Sequence, residues 1–194
     1  MKQKLSALLL VLALCLLTAA CGPTPNEQTP TLPGEYPMEL TFSSGAGAWR
    51  TSLILNADGT FVSEYSDSDM GDIGDAYPNG TFYFCSFSGQ FEVLTATDAY
   101  ATPLHLVSIT CNDDVPEEEI RDGIRRIHAG PHGFYAYETD TLAENFVFYT
   151  PDTPVANLSE EMLSWWPGRF EEKVPDTLGC YALWIPDVGN AFFS

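Results

Sequence analysis

The chain has 194 residues, 45% of them hydrophobic, with 27 acidic against 8 basic side chains and a formal net charge of −19. That balance repels nucleic-acid phosphates and anionic lipid headgroups, so no nucleic-acid partner is expected and charge does not hold the chain to a bilayer. Small cations and basic partners are drawn to such a surface, and the length suits a single domain with a sizeable core.

Lys2 and Lys4 open the chain, an apolar run covers 5–17, and Thr18, Ala19 and Ala20 lead into Cys21. This is the layout of a secretory signal rather than a spanning helix. A cysteine directly after small residues resembles the lipobox of bacterial lipoproteins, which implies cleavage before Cys21 and acylation of its thiol. An ordinary signal peptide with an incidental cysteine is the alternative. Removing residues 1–20 takes two lysines away and leaves six basic against 27 acidic side chains, a charge of −21. Residues 21–35 read as a tether, rich in proline and threonine and nearly devoid of apolar side chains. The expected organisation is a signal over 1–20, a lipidated tether over 21–35 and one domain over 36–194, held at the extracellular face of the membrane by its lipid.

From residue 36 onward the hydrophobic pattern has a period of two. A strand over Met38–Ser43 ends in Gly45-Ala46-Gly47. Trp49, Thr51, Leu53 and Leu55 then alternate with polar neighbours up to Asp58-Gly59, where a hairpin turn leads to Phe61, Ser63 and Tyr65. The longest strand covers 80–95, with Tyr83, Cys85, Phe87, Phe91 and Val93 on one face and Gly89 placed to permit a bulge. Further strands are expected over 102–111, 133–138, 145–150, 180–185 and 191–193. The fold class is therefore all-β: an antiparallel, up-and-down, lipocalin-like barrel of about eight to nine strands.

Two accessory helices are expected. Asp113, Asp114, Pro116 and Glu117–Glu119 read as a helix start, Ile120, Ile124 and Ile127 as one face, and Arg125, Arg126 and His128 as the final turn before Gly130. The second begins near Asn157 or Ser159, passes Met162, Leu163, Trp165 and Trp166, and stops at Pro167-Gly168.

With Cys15 removed and Cys21 acylated, Cys85, Cys111 and Cys180 remain. A hairpin centred on Asp98 sets Cys85 opposite Cys111, and an exported protein has the oxidising surroundings a bridge needs. A Cys85–Cys111 disulfide is expected, with Cys180 a buried apolar residue.

Signals for chemistry are sparse. Asp67, Asp69, Asp72 and Asp75 share a glycine-punctuated loop, the oxygen-rich kind of segment calcium favours, but the order departs from the helical calcium loop. The competing reading is a solvated loop whose aspartates cap their own turns. His128 and His132 are separated by Ala129-Gly130-Pro131, which rules out a helical zinc pair. No nucleophile elbow or phosphate loop is present, and no catalytic residue is assigned. The 25 aromatic side chains serve either as core or as the walls of an apolar cavity. For the cavity the lining is Trp49, Phe61, Tyr65, Tyr83, Phe87 and Phe91; pattern alone does not separate a filled barrel from a hollow one.

Ser44–Trp49, the Asp58-Gly59 hairpin, Asp67–Asp72, Tyr77-Pro78-Asn79-Gly80-Thr81, Cys85–Gly89, Phe148-Tyr149-Thr150-Pro151 and the Leu163–Trp165 helix together resemble uncharacterised secreted lipoproteins of Gram-positive gut bacteria. The likeness covers most of 38–166 and brings no activity with it, so it assigns no site residue. Gly47-x-Trp49 is similar to the entry motif of lipocalins, although here a strand precedes it. The expected role is a non-enzymatic cell-surface binding module for a small apolar ligand or an envelope partner. The alternatives are a glycan-directed hydrolase using paired carboxylates and a structural envelope protein.

Overall fold

The computed structural model describes residues 30–112, 114–136 and 141–194. The expected signal over 1–20, the expected acylation site Cys21 and the expected tether up to residue 29 lie outside the described residues. The packed body begins slightly earlier than the period-two pattern suggests. Leu32 is buried at 4% exposure, and its N–H donates to the Ala57 carbonyl at 3.1 Å. One apolar side chain in a polar tether is enough to dock that segment on the barrel.

Five long strands follow one another as antiparallel neighbours: β1 (Met38–Ser43), β2 (Trp49–Leu55), β3 (Thr60–Asp69), β4 (Thr81–Val93) and β5 (Ala101–Cys111). An insertion carries β6 (Glu118–Arg121), β7 (Ile124–His128), β8 (Tyr135–Ala136) and β9 (Thr141–Leu142). The chain then returns through β10 (Asn145–Tyr149), helix α1 (Glu160–Trp165), β11 (Ala182–Ile185) and β12 (Asn190–Phe193). β10 pairs with β5 and with β11, and β12 pairs with β11 and closes onto β1 at Thr41–Phe193. The result is a closed eight-stranded antiparallel barrel in up-and-down order. Because side chains alternate, Leu40, Phe42, Leu53, Leu55, Phe61, Phe87, Phe91, Leu104, Phe146, Phe148, Leu183 and Phe192 all point inward and are buried.

The helix expected before Gly130 is instead the β6–β7 hairpin. Asp122 and Gly123 both take positive φ (54° and 74°), as a two-residue turn between twisted strands requires. Glu118 pairs with Ile127 and Arg121 with Ile124. The isoleucines are β-branched, and the Asp-Gly turn outweighs the weak dipole and capping terms that favoured a helix. A second reason lies in β4. Its pairing with β5 ends at Phe87–Cys111, which leaves residues 81–84 with an open edge. β7 fills that edge in parallel, from Thr81–Arg125 to Phe84–His128. Arg126 then lies over the outward-facing rings of Phe82 and Phe84, 5.2 and 4.8 Å from their centroids. Of the strand expected over 133–138, Tyr135 and Ala136 form β8, residues 133 and 134 are not in a strand, and 137 and 138 lie outside the described residues.

The other expected helix forms. The Met162 N–H donates to the N-cap hydroxyl of Ser159 at 3.2 Å, and a single 3-10 turn over Pro167–Phe170 follows α1. This region covers the outside of β11 and β12, where Met162, Trp166 and Leu178 pack on Ala182, Trp184, Ala191 and Phe193. Those two strands are therefore buried on both faces, which explains their near-continuous hydrophobic runs.

Opposite Gln90 and Phe91 of β4, β5 carries a bulge, with Val107 the extra residue between Leu106 and Ser108. Gly89 beside it admits no side chain, since a Cβ there would run into the Phe61 ring and the Ser108 carbonyl. The bulge and the turn together displace the expected β4–β5 register by two residues. Cys111 stands opposite Phe87, while Cys85 stands opposite Tyr65 across the other edge. Cys85 and Cys111 are thus diagonal neighbours, not directly opposed. No bond joins them: the Cys85 thiol donates to Cys111 Sγ at 3.7 Å.

Candidate functional site

The barrel is filled. After β7 the chain turns inward through Gly130-Pro131-His132-Gly133 and drives Phe134 into the centre, where it is 0% exposed. Its ring meets those of Phe87, Phe146, Phe61, Phe192 and Phe91 at centroid separations of 5.4, 5.4, 5.5, 5.8 and 6.3 Å. Phe61, Phe87 and Phe91, expected to line a cavity, are therefore core residues packed around this plug.

The remaining three candidates lie at one open end. Trp49, Asp67 and Tyr83 are register partners on β2, β3 and β4, so their side chains share the inner face at the rim, with Tyr65 one step deeper. A recess of about 800 Å³ opens there, lined by Phe42, Trp49, Tyr65, His132, Tyr135, Trp165 and Asn190 together with the backbone of 129–133. That volume is within the range of small-molecule sites. The walls are aromatic and mutually braced. Tyr65 stacks on His132 at 4.5 Å, Phe42 meets Trp49 at 4.7 Å and Trp165 at 4.9 Å, and Trp49 meets His132 edge-on at 5.2 Å.

Hydrogen bonds fix this arrangement. Trp165 Nε1 donates to the Gly189 carbonyl at 2.7 Å, which pins the helix to the rim. Asn190 Nδ2 donates to the Gly133 carbonyl at 3.0 Å, and Thr51 Oγ1 donates to the His132 carbonyl at 3.1 Å; both hold the plug segment. Burial pushes the Tyr65 phenol up to about 12, helped by the negative charge of Asp67. Burial lowers the affinity of His132 for a proton, with Asp67 acting weakly against that, so the imidazole is neutral at neutral pH. Its Nδ1 is buried with no hydrogen-bond partner among the described residues. Among the described residues no lysine or arginine lines the recess and none pairs with Asp67.

The aspartate loop does not gather. Asp69 Oδ1 accepts the N–H groups of Gly71 and Asp72 at 2.8 and 3.2 Å, capping its own turn, and Asp72 lies 3.6 Å from Arg125. Among the described residues no group of three or more His, Cys, Asp or Glu side chains is placed to hold a metal ion. A second recess, of about 510 Å³, lies on the outer face of the sheet between Glu39, Arg50, Ile54, Val62, Glu64 and Ser88. It is made of the solvent-facing positions of the strands.

Phe42, His132, Trp165 and Asn190 escaped the reading of the sequence as site residues. Gly130-Pro131 was visible only as a helix stop, and Trp165 only as part of a buried helical face. A Gly-Pro-x-Gly-aromatic segment between strands was the one local signal that could have marked a plug. Comparison with protein-family models, with curated proteins and with solved structures finds no match to this chain.

Proposed function

We propose that this protein is a non-enzymatic binding module, tethered through Cys21 to the extracellular face of the membrane, that takes a small ligand with an apolar body at the open end of its barrel. The aromatic recess formed by Phe42, Trp49, Tyr65, His132 and Trp165 carries this reading. It offers partly exposed π faces on a braced scaffold, which favours binding because little ordering is required when the ligand arrives. The plug moves the expected site from the barrel interior to its mouth. The lipobox-like Thr18-Ala19-Ala20-Cys21 supports the anchor, and the resemblance to secreted lipoproteins of gut bacteria agrees with it. An exported domain also meets oxidising surroundings, where sulfurs 3.7 Å apart are placed to join.

Native mass spectrometry of the protein extracted from membranes tests the reading. A mature chain beginning at an acylated Cys21, with a co-purifying small molecule that is lost in a Trp49→Ala variant, is the expected result. A ligand retained by that variant places binding elsewhere and overturns the assignment of the mouth.

A further inference from the structure

The chemistry of the mouth narrows the ligand class. Three of the rings at the recess, those of Trp49, His132 and Trp165, belong to side chains that are partly exposed, while Tyr65 is buried. The negative faces of such rings attract a cation and do nothing for an anion. His132 contributes no positive charge, and among the described residues no lysine or arginine lines the recess.

Asp67 adds the second element. It is outside the lining of the recess but stands on the inner face of β3, flanked by its register partners Trp49 and Tyr83, and its charge is felt by Tyr65 and His132, which both line it. The chain's ion pairs among the described residues join Arg121, Arg125 and Arg126 to other carboxylates, so the Asp67 charge is left without a basic partner. A carboxylate beside aromatic faces, with no cation of its own, is the environment that recognises an alkylammonium group. The field of the whole molecule acts the same way, since the net charge is −19 for the full chain.

We infer that the mouth binds an organic cation, its ammonium head seated against Trp49 and Trp165 with Asp67 as counter-charge. This inference rests on the mouth being a ligand site. It adds the sign of the ligand's charge and the residue that reads it. An anionic amphiphile would meet an unscreened carboxylate and no donor of positive charge. A neutral apolar ligand would leave Asp67 without a role.

The test is a tryptophan-fluorescence titration of the full chain in detergent with choline chloride, at ionic strength held constant with sodium chloride. The neutral isostere 3,3-dimethyl-1-butanol is titrated in parallel. The expected result is a saturable change with choline, and about tenfold weaker or no binding of the isostere. Asp67→Asn keeps an acceptor for the Ser68 N–H and removes the charge. It should weaken choline about tenfold and leave the isostere unchanged. Trp49→Phe should remove most of the signal change. Equal binding of choline and the isostere, or choline binding indifferent to Asp67→Asn, overturns the cation inference while the mouth remains a ligand site. No saturable response to choline or the isostere overturns the inference, while the ligand site itself stands or falls by the co-purifying molecule that Trp49→Ala should lose.

Discussion

Phe134→Ala is the most direct test of the filled barrel. The ring is fully buried and touches five other phenylalanines, from β3, β4 and β10 and from the closing strand β12. An aromatic residue buries about 150–250 Å², and at about 25 cal/mol per Å² this corresponds to about 4–6 kcal/mol for the whole residue. Truncation keeps the Cβ but leaves a cavity the rigid barrel closes only in part, so the expected loss is about 3–5 kcal/mol. In a domain of this size that lowers the melting temperature by about 6–20 °C. Urea denaturation followed by circular dichroism, with equal slopes for both proteins, reads the difference. Since such a loss is a large share of typical total stability, Phe134→Leu serves as a milder variant and should retain roughly half of it. Phe170→Ala, at a ring 77% exposed, is the control and should change stability by less than about 0.5 kcal/mol. If Phe134→Ala costs no more than Phe170→Ala, the insertion does not plug the barrel and the placement of the site at its mouth fails with it.

Two further outcomes follow from the geometry. His132 holds a proton less readily when folded than its ordinary value of 6.5, so below that value the unfolded chain takes up a proton that the native state refuses. Its contribution to stability is present above 6.5 and is lost as pH falls towards the depressed native value. The drop in melting temperature between about pH 7.5 and about pH 5.5 should shrink in His132→Phe, which keeps the stack on Tyr65; an unchanged drop would refute the assignment. Cys85 and Cys111 should join on mild oxidation, because their sulfurs need only a rotamer adjustment from 3.7 Å. Peptide mapping without reductant should show that link alone, with Cys180, whose thiol burial makes harder to ionise, left as a slowly alkylated thiol in the native protein. A link from Cys180 to either partner would contradict the register of β4 and β5.

The recess at the mouth of the barrel was half visible in the sequence. Trp49, Tyr65 and Tyr83 stand out as inward positions of alternating strands, yet so do Phe61, Phe87 and Phe91, and nothing local distinguishes a rim position from a central one. Depth along the barrel depends on how far each strand is staggered against its neighbours. That stagger was misjudged at β4–β5, because the bulge opposite Gln90/Phe91 shifts the pairing without altering the alternation of the residues around it.

What the chain alone determined is the set of barrel strands, since a side-chain period of two, Asp-Gly turns and the Ser159 cap are properties of neighbouring residues and act within a few positions. What only the tertiary structure decided is the use of the insertion. The Ile120–Ile127 segment satisfied both a helical and an extended pattern, and the open edge of β4 at residues 81–84 settled it as a strand. Phe134 occupies the barrel because closure of β12 onto β1 creates an apolar interior that nothing else fills. The mouth, with Trp165 brought beside Trp49 from 116 positions along the chain, exists only once that closure is made.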